Sequence, residues 1–232
     1  MKREIEKKYL IKDLKSRDEL VSKLYEKFPK LDHSGRKTII SYFYERGIDK
    51  KKIITAATKM LNADKLAELN AILVNSTEQV VKCRSIDDVN YFTVKGSGSG
   101  EDPVHAVNRL EFEVSLELEL EEINHLLQEA GINIVSKWSS VRDFYDLDST
   151  IKADIEFVAG YGYKAEFEIL INDGESPDLV IKLLDELAGS LGLVEANGKL
   201  LAKMYEYYNN HWQEYFKTDK VFDDKIWKSL VN

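Results

Sequence analysis

The chain has 232 residues, enough for one large domain or two small ones with a real core. Hydrophobic residues make up 44% and aromatics 10%, which excludes a disordered chain, and a net charge of −8 argues against binding nucleic acid through general basic charge. No run approaches the about 20 apolar residues of a membrane helix, the charged opening MKREIEKKYLI has no apolar secretory region, and the lone Cys83 excludes an internal disulfide and fits a cytoplasmic setting.

The first strand spans Glu4 to Ile11. Glu4, Glu6 and Lys8 alternate with Ile5, Tyr9 and Ile11, with Lys7 as the exception on the apolar face. A helix follows, with Ser16 as N-cap, Glu19 completing a capping box, and Leu20, Val21, Leu24 and Phe28 on one stripe. Thr38 to Tyr44 reads as a second strand. Residues 49–74 show helical spacing and predict two short helices broken near Asn62-Ala63-Asp64. Strands are expected at Gln79–Ser85, Asn90–Lys95 and Asn108–Leu116, with the Gly96–Pro103 segment as a connection or lid before the last. A helix over about 117–130 ends at Gly131. Then come strands at Ile132–Trp138, Val141–Leu147, Thr150–Phe157 and Lys164–Ile171. Ser176-Pro177 opens a helix ending near Gly192, and an aromatic helical tail starts at Lys199. This order predicts an α+β fold, mostly antiparallel, whose sheet curls into a barrel.

Three strands each carry a Glu-x-Glu pair around an apolar residue: Glu4/Glu6, Glu111/Glu113 and Glu166/Glu168. One such pair is ordinarily a solvent-facing side of a sheet. Three pairs sharing faces with Lys8, Lys82, Arg84, Lys95 and Arg109 suggest more. Clustered carboxylates repel unless protonated or bound to a cation. Hard divalent ions take carboxylate oxygens, and arginines and lysines hold phosphate oxygens. Both groups together suit a metal-bound polyphosphate. An internal salt-bridge network would be costly to desolvate and no more stable than an apolar core.

These residues resemble the CYTH proteins, or triphosphate tunnel metalloenzymes. Glu4-Ile5-Glu6-Lys7-Lys8 matches their ExExK signature. Lys82-x-Arg84, Thr93-x-Lys95, Arg109-x-Glu111-x-Glu113, a basic stretch from Lys137 to Arg142, Asp154, Gly160-Tyr161-Gly162 and Glu166-x-Glu168 follow in the family's order, over residues 1 to about 192. The resemblance is to bacterial members of the class IV adenylate cyclase type. It implies an antiparallel eight-stranded β-barrel, a triphosphate tunnel with surrounding helices, over residues 1–197. A helical insert falls at about 47–78, and a helical extension over 198–232 packs on the barrel or forms a homodimer contact. Carried over by position, Glu4, Glu6, Glu166 and Glu168 look like ligands of Mg²⁺ or Mn²⁺. Glu111, Glu113 and Asp154 would be further ligands or position water. Lys8, Lys82, Arg84, Lys95, Arg109, Lys137 and Arg142 would hold phosphates, with Lys8 and Glu113 also implied as catalytic groups.

Two positions depart from the pattern. Ser140 stands where relatives alternate a second basic residue with Arg142. Lys82 stands where arginine is common, which keeps charge and loses the bidentate fork. The leading expectation is a metal-dependent hydrolase of a small-molecule triphosphate. An adenylate cyclase making cyclic AMP and pyrophosphate is the second, and a triphosphate-binding protein without turnover the third. The glycine-rich 96–100 segment is no phosphate-binding P-loop, because no Gly-Lys-Ser/Thr follows. His33, His105, His125 and His211 lack metal spacing, and Cys83 is expected on the shell side, alternating with Lys82 and Arg84.

Overall fold

The structure, a computed structural model, describes residues 3–97, 109–172 and 175–231. The expected strand start at Asn108, His105 and most of the glycine-rich connection lie outside the described residues. Eight strands and seven helices are present among them. They run β1 (Arg3–Ile11), α1 (Leu14–Lys27), β2 (Asp32–Tyr44), α2 (Lys50–Ala57), α3 (Ala63–Val74), β3 (Glu78–Ile86), β4 (Val89–Ser97), β5 (Arg109–Leu116), α4 (Leu120–Glu129), β6 (Ile134–Asp146), β7 (Ile151–Val158), β8 (Gly162–Ile171), α5 (Pro177–Leu191), α6 (Gly198–Tyr215) and α7 (Asp224–Val231). The paired strands are antiparallel, as the sequence predicts for an α+β fold. No helix among the described residues is long and apolar enough to cross a membrane.

The chain divides into two compact units. One joins Met1–Lys37 to Ser139–Asn232, and the other is Thr38–Trp138. The first unit holds the strand order β1-β8-β7-β6. The apolar set of β1 and β8, Ile5, Tyr9, Ala165, Phe167 and Ile169, is buried, with α5 against both strands through Leu184, Leu187 and Ala188. Burying a side chain the size of Phe167 contributes about 1.5–3 kcal/mol. Lys7 breaks the alternation because its amine reaches out of this layer to Asp185 at 2.5 Å and Glu195 at 3.0 Å.

The β7–β8 turn is fastened to the tail. Gly160 N–H donates to the Lys220 carbonyl at 2.8 Å, and Phe222 N–H donates back to the Gly160 carbonyl at 2.7 Å. Gly160 has φ +85°, and a Cβ there would meet the Tyr208 ring at 2.8 Å, so only glycine fits. Tyr161, Tyr207, Tyr215 and Trp227 surround Phe222.

The second unit holds the order β2-β3-β4-β5. Val81, Cys83, Phe92, Val94 and Phe112 form its buried side, with Leu69 and Leu73 of α3 and Ile123 and Leu127 of α4. α3 packs on β4 and β5, and α4 on β3 and β4. The two short helices expected in 49–74 are α2 and α3, and Asn62 caps α3 by accepting from Lys65 N–H at 3.0 Å. Ser176 with Pro177, and Gly192 at φ +77°, bound α5 as the sequence indicates.

Two expectations are corrected. Helix α1 is capped by Asp13, whose carboxylate accepts from both Ser16 N–H and Ser16 Oγ at 2.8 Å, so Ser16 lies inside the first turn. The two strands expected at Ile132–Trp138 and Val141–Leu147 are one continuous strand. In the structure Ser140 pairs with Val158, and the Ser139 carbonyl accepts from Ala159 N–H at 3.2 Å.

Candidate active site

In the first unit the antiparallel register lines up the polar residues of four strands in rows. Glu6 lies opposite Glu168, and Lys8 opposite Glu166. Asp154 lies opposite Glu166, Glu156 opposite Lys164, and Lys152 opposite Glu168. Arg142 lies opposite Glu156. Alternation makes this one face, with Ile5, Ala165 and Phe167 on the other.

The face is a dense ionic network. Arg142 donates to Asp154 Oδ2 at 2.6 Å and to Glu156 Oε2 at 2.9 Å, and its Nη2 lies 3.7 Å from Glu166. Lys164 Nζ lies 2.7 Å from Glu156 and 3.0 Å from Glu166. Lys8 donates to Glu6 Oε1 at 2.6 Å and stands 3.8 Å from Glu166. Ser140 Oγ donates to Glu156 Oε1. The Glu156 side chain is 5% exposed and that of Glu166 11%. Burial opposes the charge on Glu166, but Lys164, Lys8 and Arg142 outweigh it and hold the carboxyl well below the usual range. Asp154 moves the other way. Burial and the nearby Glu166 raise it to about 6 despite Arg142. The buried Nε of Arg142 has no hydrogen-bond partner.

In the second unit the polar face is richer in cations. Lys82 lies opposite Thr93, and Arg84 opposite Tyr91; Thr93 lies opposite Glu113, and Lys95 opposite Glu111. Arg84 Nη2 donates to Glu113 Oε2 at 2.7 Å, and Thr93 Oγ1 donates to the same oxygen at 2.9 Å. Lys95 pairs with Glu111 at 3.1 Å. Lys82 makes no ion pair and no side-chain hydrogen bond among the described residues. Its removal from water, with Arg84 and Lys95 close by, drives its ammonium well below the usual lysine range, against the pull of Glu111 and Glu113. The Nε of Arg84 is also buried without a partner. Phe43, opposite Lys82, contacts Trp138 edge to face at 5.6 Å.

The structure thus brings Glu6, Lys8, Arg142, Asp154, Glu166 and Glu168 onto one face of the first unit, and Lys82, Arg84, Lys95, Glu111 and Glu113 onto one face of the second. Glu4 and Arg109 are placed by strand register alone, opposite Leu170 and Ser97. Lys137 is not with the other cations. It stands 4.1 Å over the Tyr42 ring and pairs with Glu121 of α4 at 3.1 Å. Tyr42 lies opposite Cys83, on the shell side away from Lys82 and Arg84. The Cys83 thiol is buried there, and burial pushes it up to about 12. Glu156 and Lys164 were missed at the sequence level. Each lies two residues from an assigned group, Asp154 and Glu166, so strand parity alone would have placed them.

The donor set can be tested against a divalent ion. Glu6 and Glu168 lie opposite each other across β1 and β8, with Lys8 beside Glu6 at 2.6 Å. Their hard oxygens are the ligands Mg²⁺ and Mn²⁺ prefer, so this end of the face fits such an ion. Among the described residues no three His, Cys, Asp or Glu side chains already cluster as a metal site.

No protein-family model matches the chain, and no curated protein matches it. Solved structures do. A Pyrococcus horikoshii protein is 17% identical with TM-score 0.57, over 91% of this chain and 99% of its own. A candidate adenylate cyclase from Vibrio parahaemolyticus is 15% identical with TM-score 0.57, over 84% of this chain and 93% of its own. A candidate adenylyl cyclase from Hippeastrum with a dominant triphosphatase activity is 12% identical with TM-score 0.50, over 89% and 96%. At these identities the likeness speaks for the fold. The ordered charge motifs and these neighbours agree, and the chain has the CYTH, or triphosphate tunnel, fold.

Proposed function

We propose that the chain is a divalent-metal-dependent hydrolase of a triphosphate, acting in the cytoplasm on inorganic triphosphate or on a nucleoside or other organic triphosphate. The observation that carries this reading is Lys82. It stands half-buried beside Arg84 and Lys95, within the field of Glu111 and Glu113, and its ammonium makes no ion pair or side-chain hydrogen bond among the described residues. A fold keeps such a group at a cost unless a ligand satisfies it. The unpartnered Nε atoms of Arg84 and Arg142 are the same kind of vacancy for an oxygen acceptor.

In this reading Lys82, Arg84, Lys95 and Arg109 hold phosphate oxygens, Arg84 as a fork and the lysines as point charges. Thr93 and Glu113 fix the Arg84 guanidinium in place. Glu6 and Glu168, with Glu4 beside them in sequence, would hold Mg²⁺ or Mn²⁺. When bound, the ion offsets the negative charge that builds on the transferring phosphoryl oxygens. Water adds to the terminal phosphorus, the bridging P–O bond breaks, and orthophosphate leaves.

Adenylate cyclisation is the second reading, favoured by Phe43 and Trp138 on the Lys82 face as a surface for a base. A product assay separates the two. The protein is incubated with inorganic triphosphate or ATP, with Mg²⁺, Mn²⁺ or EDTA, and the products are resolved. Hydrolysis gives metal-dependent orthophosphate. Cyclic AMP with equal pyrophosphate selects the cyclase. Tight triphosphate binding without product overturns both.

A further inference from the structure

The cation-rich face of the second unit also carries two aromatic rings. Phe43 of β2 stands directly opposite Lys82 of β3. Trp138 of β6 meets it edge to face, with ring centroids 5.6 Å apart. The indole is fixed in place: its Nε1–H donates to Ser136 Oγ at 2.9 Å, and Ser136 is fully buried. An indole has one donor, and this one is spent inside the protein, so the ring offers a ligand its π surface. Phe43 and Trp138 are both half-buried. The rings on the apolar side of this unit differ, with Phe92 and Phe112 0% exposed and Tyr44 3%. All of these residues belong to Thr38–Trp138.

The rings adjoin the proposed phosphate grip. Phe43 is one strand from Lys82 and two from Thr93 and Lys95, at about 4.8 Å per strand. A bare triphosphate uses charge and hydrogen-bond donors. Apolar rings left partly open beside three cations add nothing to its binding, and they leave apolar surface in water. A ligand whose triphosphate continues into a flat aromatic group uses both features. Its phosphates engage Lys82, Arg84 and Lys95, and its ring lies on Phe43 and Trp138. Stacking a base on aromatic side chains contributes roughly 10- to 100-fold in affinity.

We propose that Phe43 and Trp138 are specificity residues that select a triphosphate carrying a flat aromatic base over one without a base. The inference rests on the reading of Lys82, Arg84 and Lys95 as a phosphate grip. It holds for hydrolysis and for cyclisation alike, because it concerns the part of the substrate that does not react.

The test compares two ligands of matched phosphate charge, ATP and ribose 5-triphosphate, by titration calorimetry on the full chain in EDTA. The wild type is expected to bind ATP roughly 10- to 100-fold more tightly than ribose 5-triphosphate. Phe43→Leu and Trp138→Leu are each expected to lower that ratio by roughly 10-fold, and Trp138→Phe to keep most of it. A merely structural role would weaken both ligands alike and leave the ratio unmoved. Trp138→Phe gives a second reading that does not depend on the leucine variants folding. ATP should quench wild-type tryptophan fluorescence more than ribose 5-triphosphate does, and Trp138→Phe, which keeps Trp212 and Trp227, should lose that difference. Equal affinity for the two ligands in the wild type, an unmoved ratio in folded leucine variants, or a quench that persists in Trp138→Phe overturns the inference and leaves the proposed function standing. Binding of neither ligand by the wild type overturns both.

Discussion

The two charged faces solve opposite problems. In the first unit charge is balanced internally: Arg142, Lys164 and Lys8 are spread over Asp154, Glu156, Glu166 and Glu6 in a row-by-row network. In the second unit Glu113 and Glu111 balance Arg84 and Lys95, and Lys82 is left over. A balanced network needs little from outside. An unbalanced cation asks for an anion. In the proposed function the first face would hold the metal and the second the phosphates.

The largest expected effect comes from breaking the first face where Glu6 and Glu168 lie opposite each other. Glu168→Gln should lower metal-dependent turnover by roughly 10³-fold, the scale of losing a few kcal/mol of transition-state charge stabilisation. The melting temperature should stay near that of the wild type, because one of two opposed like charges is removed. Turnover close to wild type would remove the metal role from this pair.

Breaking the second face should separate stability from function. Lys82→Met removes the unbalanced cation, so the fold should gain about 1–2 kcal/mol, read as a higher denaturant midpoint. Triphosphate affinity should fall by roughly 10- to 100-fold, one charge-assisted phosphate contact. Lower stability together with unchanged affinity would place Lys82 in an ordinary structural role.

The first face also depends on the tail that fastens the β7–β8 turn. Gly160→Ala puts a methyl group 2.8 Å from the Tyr208 ring at a positive φ, and should cost about 1–3 kcal/mol in chemical denaturation. A neutral result would mean that the turn and α6 adjust freely.

The smallest effect is a proton. The lowered ammonium of Lys82 sits among Arg84, Lys95, Glu111 and Glu113. A folded pKa below the unfolded value means that the charged lysine costs stability at pH below its folded pKa. That cost fades as pH rises toward the unfolded value of 10.5. A bound triphosphate reverses the shift. Between the lowered and the ligand-restored pKa, binding should therefore take up a fraction of a proton, read by calorimetry in buffers of different ionisation enthalpy. Lys82→Met should abolish that fraction.

Much of this was legible in the sequence. The Glu-x-Glu pairs reveal themselves by strand parity, which depends only on the period of 2. The order of the motifs pointed to the fold. Lys137 was assigned to the phosphates from the family resemblance; strand parity separates it from Arg142, and in the continuous strand it takes the shell side with Tyr42, beside Glu121. Glu156 and Lys164 were passed over although each shares strand parity with an assigned group, Asp154 and Glu166; only the cross-strand register shows them paired with each other. The Asp13 cap was missed because Ser16 offered an equally good local pattern three residues on.

The most direct test of the central claim is orthophosphate release from inorganic triphosphate, for the wild type and Glu168→Gln side by side, with Mg²⁺ and with EDTA. The account predicts release by the wild type with Mg²⁺ alone and almost none from the variant. Equal release by both proteins, or release by the wild type that EDTA leaves intact, would contradict it.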